Sequence, residues 1–159
     1  MNREKLKSII LNETRKLFEN REANLLIDSK LSECNEKEGL IRDFIDYCTK
    51  FLTIDIEPTI ELVADRKEHN IRTTAFYDPG SHMIKIYCKG RAIVDVCRSI
   101  AHELTHMSQN LKGEIEFPVQ DAGGHIEDEA NAKAGEIVKL YAKSKPERMM
   151  IYERRSVKL

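Results

Sequence analysis

Two histidines one helical turn apart, with a glutamate beside the first, open the chemistry of this chain: His102-Glu103-Leu104-Thr105-His106. Side chains at i and i+4 stand one above the other on a helix, so both imidazoles can reach one metal ion and leave its other positions open. Glu103 points to the side of that pair. There a carboxylate can take a proton from an activated water and later hand it to a leaving amine. The bland alternative is a pair of solvated histidines on an ordinary helix, and a third ligand must decide between the two readings.

The elements that would position these residues come next. From Ile93 to Gln109 the apolar residues Ile93, Cys97, Ile100, Leu104 and Met107, continued by Leu111, recur at three- and four-residue steps. That spacing predicts a helix with one side fixed in a core and the histidines almost opposite. A second helix is predicted after Gly123-Gly124, with the stripe Ala130, Ala134, Ile137, Val138 and Tyr141. One turn back along that stripe stands Glu127, whereas Asp128, Glu129, Lys133, Glu136 and Lys139 fall on the flanks or the far side. A carboxylate opening a buried stripe is costly unless paired or metal-bound. The helix macrodipole also favours acids at a helix start, but it suits Asp128 and Glu129 equally. Asn131, one turn further on, can hydrogen-bond a metal ligand from behind. The small alanines let the two helices approach closely. His125, directly before Glu127, is a rival ligand or an oxyanion donor, against the plainer reading of a surface histidine near a helix start.

With these residues in view, the pattern is similar to a known one. HExxH, followed some twenty residues later by a helix carrying Glu127-x-x-x-Asn131, resembles the gluzincin metallopeptidases, which hold zinc with two His and one Glu. The wider run, Arg98-Ser99-Ile100-Ala101-His102-Glu103-Leu104-Thr105-His106-x-x-Gln109 and then Ile126 to Gly135, looks like the small metallopeptidase domain of tailed bacteriophages. The Glu-x-Glu-Ala-Asn segment is also similar to repressor-cleaving metallopeptidases of mobile elements. The resemblance covers roughly residues 56 to 143. It implies His102, His106 and Glu127 as zinc ligands and Glu103 as general base. Larger gluzincins have Asp at the position of Asn131, which here leaves that partner neutral; the small phage domain shares the Asn.

The remainder of the chain frames this centre. At 159 residues it has room for one domain with its own core. We expect an N-terminal helical layer over 1–53, a zincin-like core over 54–143 and a basic tail over 144–159. Lys and Arg total 26 against 27 Asp and Glu, a net charge of −1, so no nucleic-acid or membrane partner is implied. The N-terminus carries no apolar run long enough for a signal peptide or membrane span, which predicts a cytoplasmic protein, in the host cytoplasm or the virion if phage-encoded. Cys34, Cys48, Cys88 and Cys97 lack CxxC spacing and read as free thiols, with Cys48 and Cys97 in the core. Helices are predicted over 3–19 and 38–52, the latter with the face Ile41, Phe44, Ile45, Cys48, Phe51 and Leu52, and a short helical piece around Leu25, Leu26, Ile27 and Leu31. Their expected role is to cover the sheet, with partner binding or active-site covering as the alternative.

Three strands are predicted over 59–64, 71–77 and 83–89, the last two joined by the turn Asp78-Pro79-Gly80-Ser81. By resemblance this is a small α+β zincin-like fold, a three-stranded, mostly antiparallel sheet packed on the active-site helix. In such peptidases an exposed edge strand holds the substrate backbone as an added strand. That edge is 83–89 or 71–77, where the lysines read equally well as protection against aggregation. The loop from Lys112 to Gly124 could wall a cleft. His69 and His82 fall in turns. The expected function is zinc-dependent endopeptidase action on a narrow protein or peptide substrate, with His125, Tyr141 and Tyr152 as candidate oxyanion donors. The alternative is a metal-binding domain of the same fold that acts through protein contacts with little turnover.

Overall fold

The computed structural model describes residues 2–10, 24–68, 73–115 and 124–153. Its architecture is mixed α and β. Helix α1 (3–10) is exposed throughout and capped by Asn2, whose Oδ1 accepts the Lys5 amide at 2.8 Å. The rest of the helix expected to residue 19 lies outside the described residues. Then follow β1 (Asn24–Ile27), α2 (Ser32–Glu36), α3 (Glu38–Phe51), β2 (Thr59–Val63), β3 (Ala75–Asp78), β4 (Met83–Tyr87), α4 (Ile93–Leu111), α5 (His125–Ser144) and a 3-10 helix, Pro146–Tyr152.

The sheet corrects the expected one. It has four strands in the order β1-β2-β4-β3. Two of its three pairings are parallel, β1 with β2 and β2 with β4; only β3 and β4 run antiparallel. The added strand is Asn24-Leu25-Leu26-Ile27, expected to be helical. A short apolar run without alternation has no period by which to tell helix from strand. Its backbone partners lie 35 residues away, where Leu25 pairs with Ile60 and Ile27 with Leu62. A parallel pair needs a crossover connection, which α2 and α3 supply. The hairpin formed as predicted: Asp78 accepts the Gly80 amide and the Ser81 hydroxyl, and β3 begins at Ala75. Residues 71–72 of that predicted strand, and His69, lie outside the described residues. β4 is therefore interior and β3 is an edge, so Lys85 pairs with Glu61 across the sheet instead of guarding an edge.

Helix α3 buries Ile41, Phe44, Ile45 and Cys48 and packs chiefly on α4 and α5, while α4 lies on β3 and β4. The N-terminal layer thus braces the helices more than it covers the sheet. Both α3 and α4 end in a paired-bond C-terminal motif. After α4, Gly113 takes φ 71° and Glu114 bonds back to the Gln109 carbonyl. After α3, Thr53 takes the same left-handed conformation at φ 55° without glycine's freedom. One core joins all layers, from Leu25 through Ile151. The start of the basic tail is docked through Arg148, which forks onto Asp43 at 2.8 and 2.9 Å and lies over the rings of Tyr141 and Tyr47. All four cysteines are free and buried. Among the described residues no helix is long and apolar enough to cross a membrane.

Candidate metal centre

Helix α4 is buried on more sides than its apolar stripe requires. Beside the apolar Ile93, Cys97, Ile100 and Leu104, the residues Glu103, Thr105, His106, Ser108 and Gln109 are also buried, because α3 and α5 pack on α4 as well as the sheet; Ser108 donates to the Leu52 carbonyl at the end of α3 at 3.4 Å. Leu111, the expected end of the stripe, is 39% exposed. The buried face of α5 is Ala130, Ala134, Ile137, Val138 and Tyr141, the stripe read from the sequence, and α5 packs chiefly on α4, with Tyr141 reaching α3. Alanines at the contact allow close approach, and this carries the first turn of α5 to the histidines.

Three ligand atoms meet there. His106 Nε2 lies 3.1 Å from His102 Nε2, Glu127 Oε1 lies 2.8 Å from His106 Nε2, and Glu127 Oε2 lies 3.3 Å from His102 Nε2. All lie within 4.8 Å of one another, and among the described residues no other His, Cys, Asp or Glu group converges in this way. Asp128 and Glu129 do not join it: Asp128 is exposed, and Glu129 leans toward Lys133 at 3.6 Å.

The donor set fits a cation. Gln109 Oε1 lies 2.9 Å from His106 Nδ1 and can accept its proton, which leaves Nε2 of the neutral ring as a bare lone pair facing the cluster. Burial lowers the proton affinity of His102, and the neighbouring His106 adds to this, against the pull of Glu127 and Asn131. Two imidazole nitrogens and a carboxylate face one another at hydrogen-bonding distance, and one metal ion can accept an electron pair from all three. Ligand bonds of ~2.0–2.1 Å in a tetrahedron set two nitrogens about 3.3 Å apart, close to the 3.1 Å found. Asn131, one turn further along α5, lines the same cavity and, after Glu127, favours the protonated form of His102.

Glu103 borders the same space. It is 7% exposed, and burial, then the Glu127 carboxylate, raises its pKa to about 8. The cavity, about 750 Å³, is walled on one side by Thr73 to Tyr77 of the β3 edge and on the other by Arg98, Ser99, His102, Glu103 and His106.

The candidate oxyanion donors lie apart from this space. Tyr141 is fully buried; its hydroxyl donates to Asp43 at 2.8 Å, and burial and that bond push its pKa up. Tyr152 stands on a different cavity, with Lys30 and Ser32. His125 is the exposed first residue of α5 and does not line the cavity. Sequence reasoning also passed over two residues. Gln109 was part of the quoted pattern but had no role, although its place three residues after His106 on one helix was a usable signal. Tyr77 enters the cavity wall from β3, its hydroxyl held by Asn110 at 3.0 Å and His82 Nδ1 at 3.1 Å. His82 is thus a half-buried partner in the hairpin turn. Residues 116–123 of the loop expected to wall the cleft lie outside the described residues.

No family model, curated protein or solved structure matches the chain.

Proposed function

We propose that this chain is a zinc-dependent endopeptidase of gluzincin type, with a small zincin-like fold, that hydrolyses a peptide bond in a narrow protein substrate. One observation carries the reading: His102, His106 and Glu127 converge beside the buried carboxyl of Glu103, on a cavity walled by a free strand edge. Three protein ligands leave a fourth position open, as expected of a catalytic site and not of a closed structural one. Two nitrogens and one oxygen suit zinc, and the resemblance of the motif to gluzincins adds to this.

Bound zinc would lower the pKa of water to about 7 and polarise the scissile carbonyl. The chain's own residues do the rest. Gln109 holds the His106 imidazole in the orientation that presents Nε2, and Asn131 stands beside the site on α5. Glu103 takes a proton from the attacking water as its oxygen bonds the carbonyl carbon, and returns it to the amide nitrogen as the C–N bond breaks. The free edge of β3 offers backbone groups to an extended substrate. The competing reading, a metal-binding domain with little turnover, leaves Glu103 without a task, and a buried carboxyl without a task is costly.

The test is Glu103→Gln. It should retain about one zinc per chain and lose turnover in proteome-wide cleavage profiling, since an amide cannot accept the proton. Cleavage by this variant at the wild-type rate would remove Glu103 as the base. A wild-type chain that takes up no zinc would remove the metalloenzyme reading altogether.

A further inference from the structure

Resting on that hydrolase reading, we propose that the cleft selects an acidic side chain next to the scissile bond, through a cationic subsite made by Arg91, Ser99 and Arg98. Arg91 precedes α4 and is half-buried. Its Nη1 donates to the Tyr87 carbonyl at 2.7 Å, and its Nη2 donates to the Asp95 carbonyl at 3.1 Å and to Ser99 Oγ at 2.7 Å. All three acceptors are neutral, and among the described residues no carboxylate pairs with this guanidinium. Of its five N–H donors these contacts leave the Nε–H and one Nη1–H uncommitted, on separate edges of the guanidinium, each able to donate one charge-assisted bond to a carboxylate.

Ser99 accepts from Arg91, so its own O–H remains a donor. Arg98, its neighbour, borders the same cavity and faces Asp95 at 3.5 Å, with both side chains about half exposed. Such an exposed pair is weak. Beyond the group around the metal site, the cavity therefore carries Arg91 and Arg98 against Asp95, a surplus of one positive charge. A half-buried cation with only neutral partners projects its potential into the cleft, where a substrate carboxylate would complete it.

Position follows from helix geometry. Ser99 lies three residues before His102, about 4.5 Å along α4 at ~1.5 Å per residue. An extended peptide advances ~3.3 Å per residue, so the acid belongs one or two residues from the scissile bond. It lies on the side toward the start of α4.

The test uses a positional-scanning library of C-terminally amidated peptides with Glu or Gln at each position in turn. Zinc-loaded wild type reads cleavage, and zinc-loaded Glu103→Gln reads binding by fluorescence anisotropy. The expected result in both is about a tenfold preference for Glu at one position within two residues of the cut, which fades as salt rises. Arg98→Glu, at an exposed site, should abolish that preference for Glu over Gln. Arg91→Lys keeps the charge but loses the planar N–H donors and should reduce the Glu-to-Gln ratio, a quantity that a loss of stability alone does not move. Zinc-dependent cleavage with no preference for Glu overturns the subsite and leaves the hydrolase reading intact. Glu-selective binding that Arg98→Glu abolishes, without cleavage, upholds the subsite and overturns the hydrolase. Flat binding without cleavage overturns both. A preference that follows a free C-terminal carboxylate in a parallel set of non-amidated peptides overturns the side-chain assignment.

Discussion

Replacing Gln109 by Met tests the centre at its least conspicuous residue. The glutamine is 1% exposed and makes three bonds: its Oε1 faces His106 Nδ1 at 2.9 Å, and its Nε2 donates to the Ile126 carbonyl at 3.1 Å and, at the long end, to Glu129 Oε1 at 3.5 Å. Met fills nearly the same volume, so no cavity term enters. Left without an acceptor, the buried His106 N–H costs about 1–3 kcal/mol, and the half-buried Ile126 bond adds about 1 kcal/mol. The metal-free chain should therefore lose about 2–4 kcal/mol in urea unfolding. Metal affinity should fall about 10–100-fold, because the imidazole is no longer held in one tautomer and one orientation. Competition with a chelator measures that loss separately from folding. Gln109→Glu sharpens the test: its carboxylate still accepts from His106 but cannot donate to Ile126 and faces the Glu129 carboxylate, so affinity should recover while stability does not. If Gln109→Met binds metal as tightly as wild type, the bond to His106 does not organise the site, and Gln109 is only a tie between α4 and α5.

The other expected outcomes are more direct. Glu127→Ala should weaken zinc binding strongly under chelator competition, while Glu129→Ala should change it little; the reverse pattern would overturn the assignment of the third ligand and the pose of α5. Tyr141→Phe should cost about 1 kcal/mol of stability, from the lost bond to Asp43, and leave turnover unchanged; a large loss of turnover would return Tyr141 to the list of oxyanion donors. Burial pushes the pKa of Asp43 up, but hydrogen bonds from Arg148 and Tyr141 outweigh it, and the folded value ends below the ordinary one. A depressed folded pKa contributes stability above the unfolded value of about 4, and that contribution is lost as pH falls through the folded value. Asp43→Asn should flatten the fall in stability below about pH 4, read by denaturant unfolding across that range; an unchanged slope would mean that the fork from Arg148 contributes nothing.

Local periodicity carried what lies on a single element. The stripe on α4, the stripe on α5 and the inward aim of Glu127 are rotations about a helix axis, and 3.6 residues per turn makes them readable from spacing alone. The Asp78 turn is likewise a matter of four residues. What spacing cannot supply is the partner across space. The run Asn24 to Ile27 became a strand because β2 lies beside it, and two parallel pairings replaced an expected antiparallel sheet because pairing direction is set by the connections, through α2 and α3 for β1 with β2 and through β3 for β2 with β4. Tyr141 had a polar end free to act as a donor on paper; Asp43, nearly a hundred residues earlier, claimed it. Gln109 shows the division most closely. Its reach back to His106 is local, but its hold on Ile126 exists only once α5 has packed on α4, and that contact sets where Glu127 meets the histidines. The ligand types were written along the chain, and their convergence within hydrogen-bonding distance was decided by helix packing, because a periodic pattern fixes the angle of a residue about its own axis and not the distance between two axes.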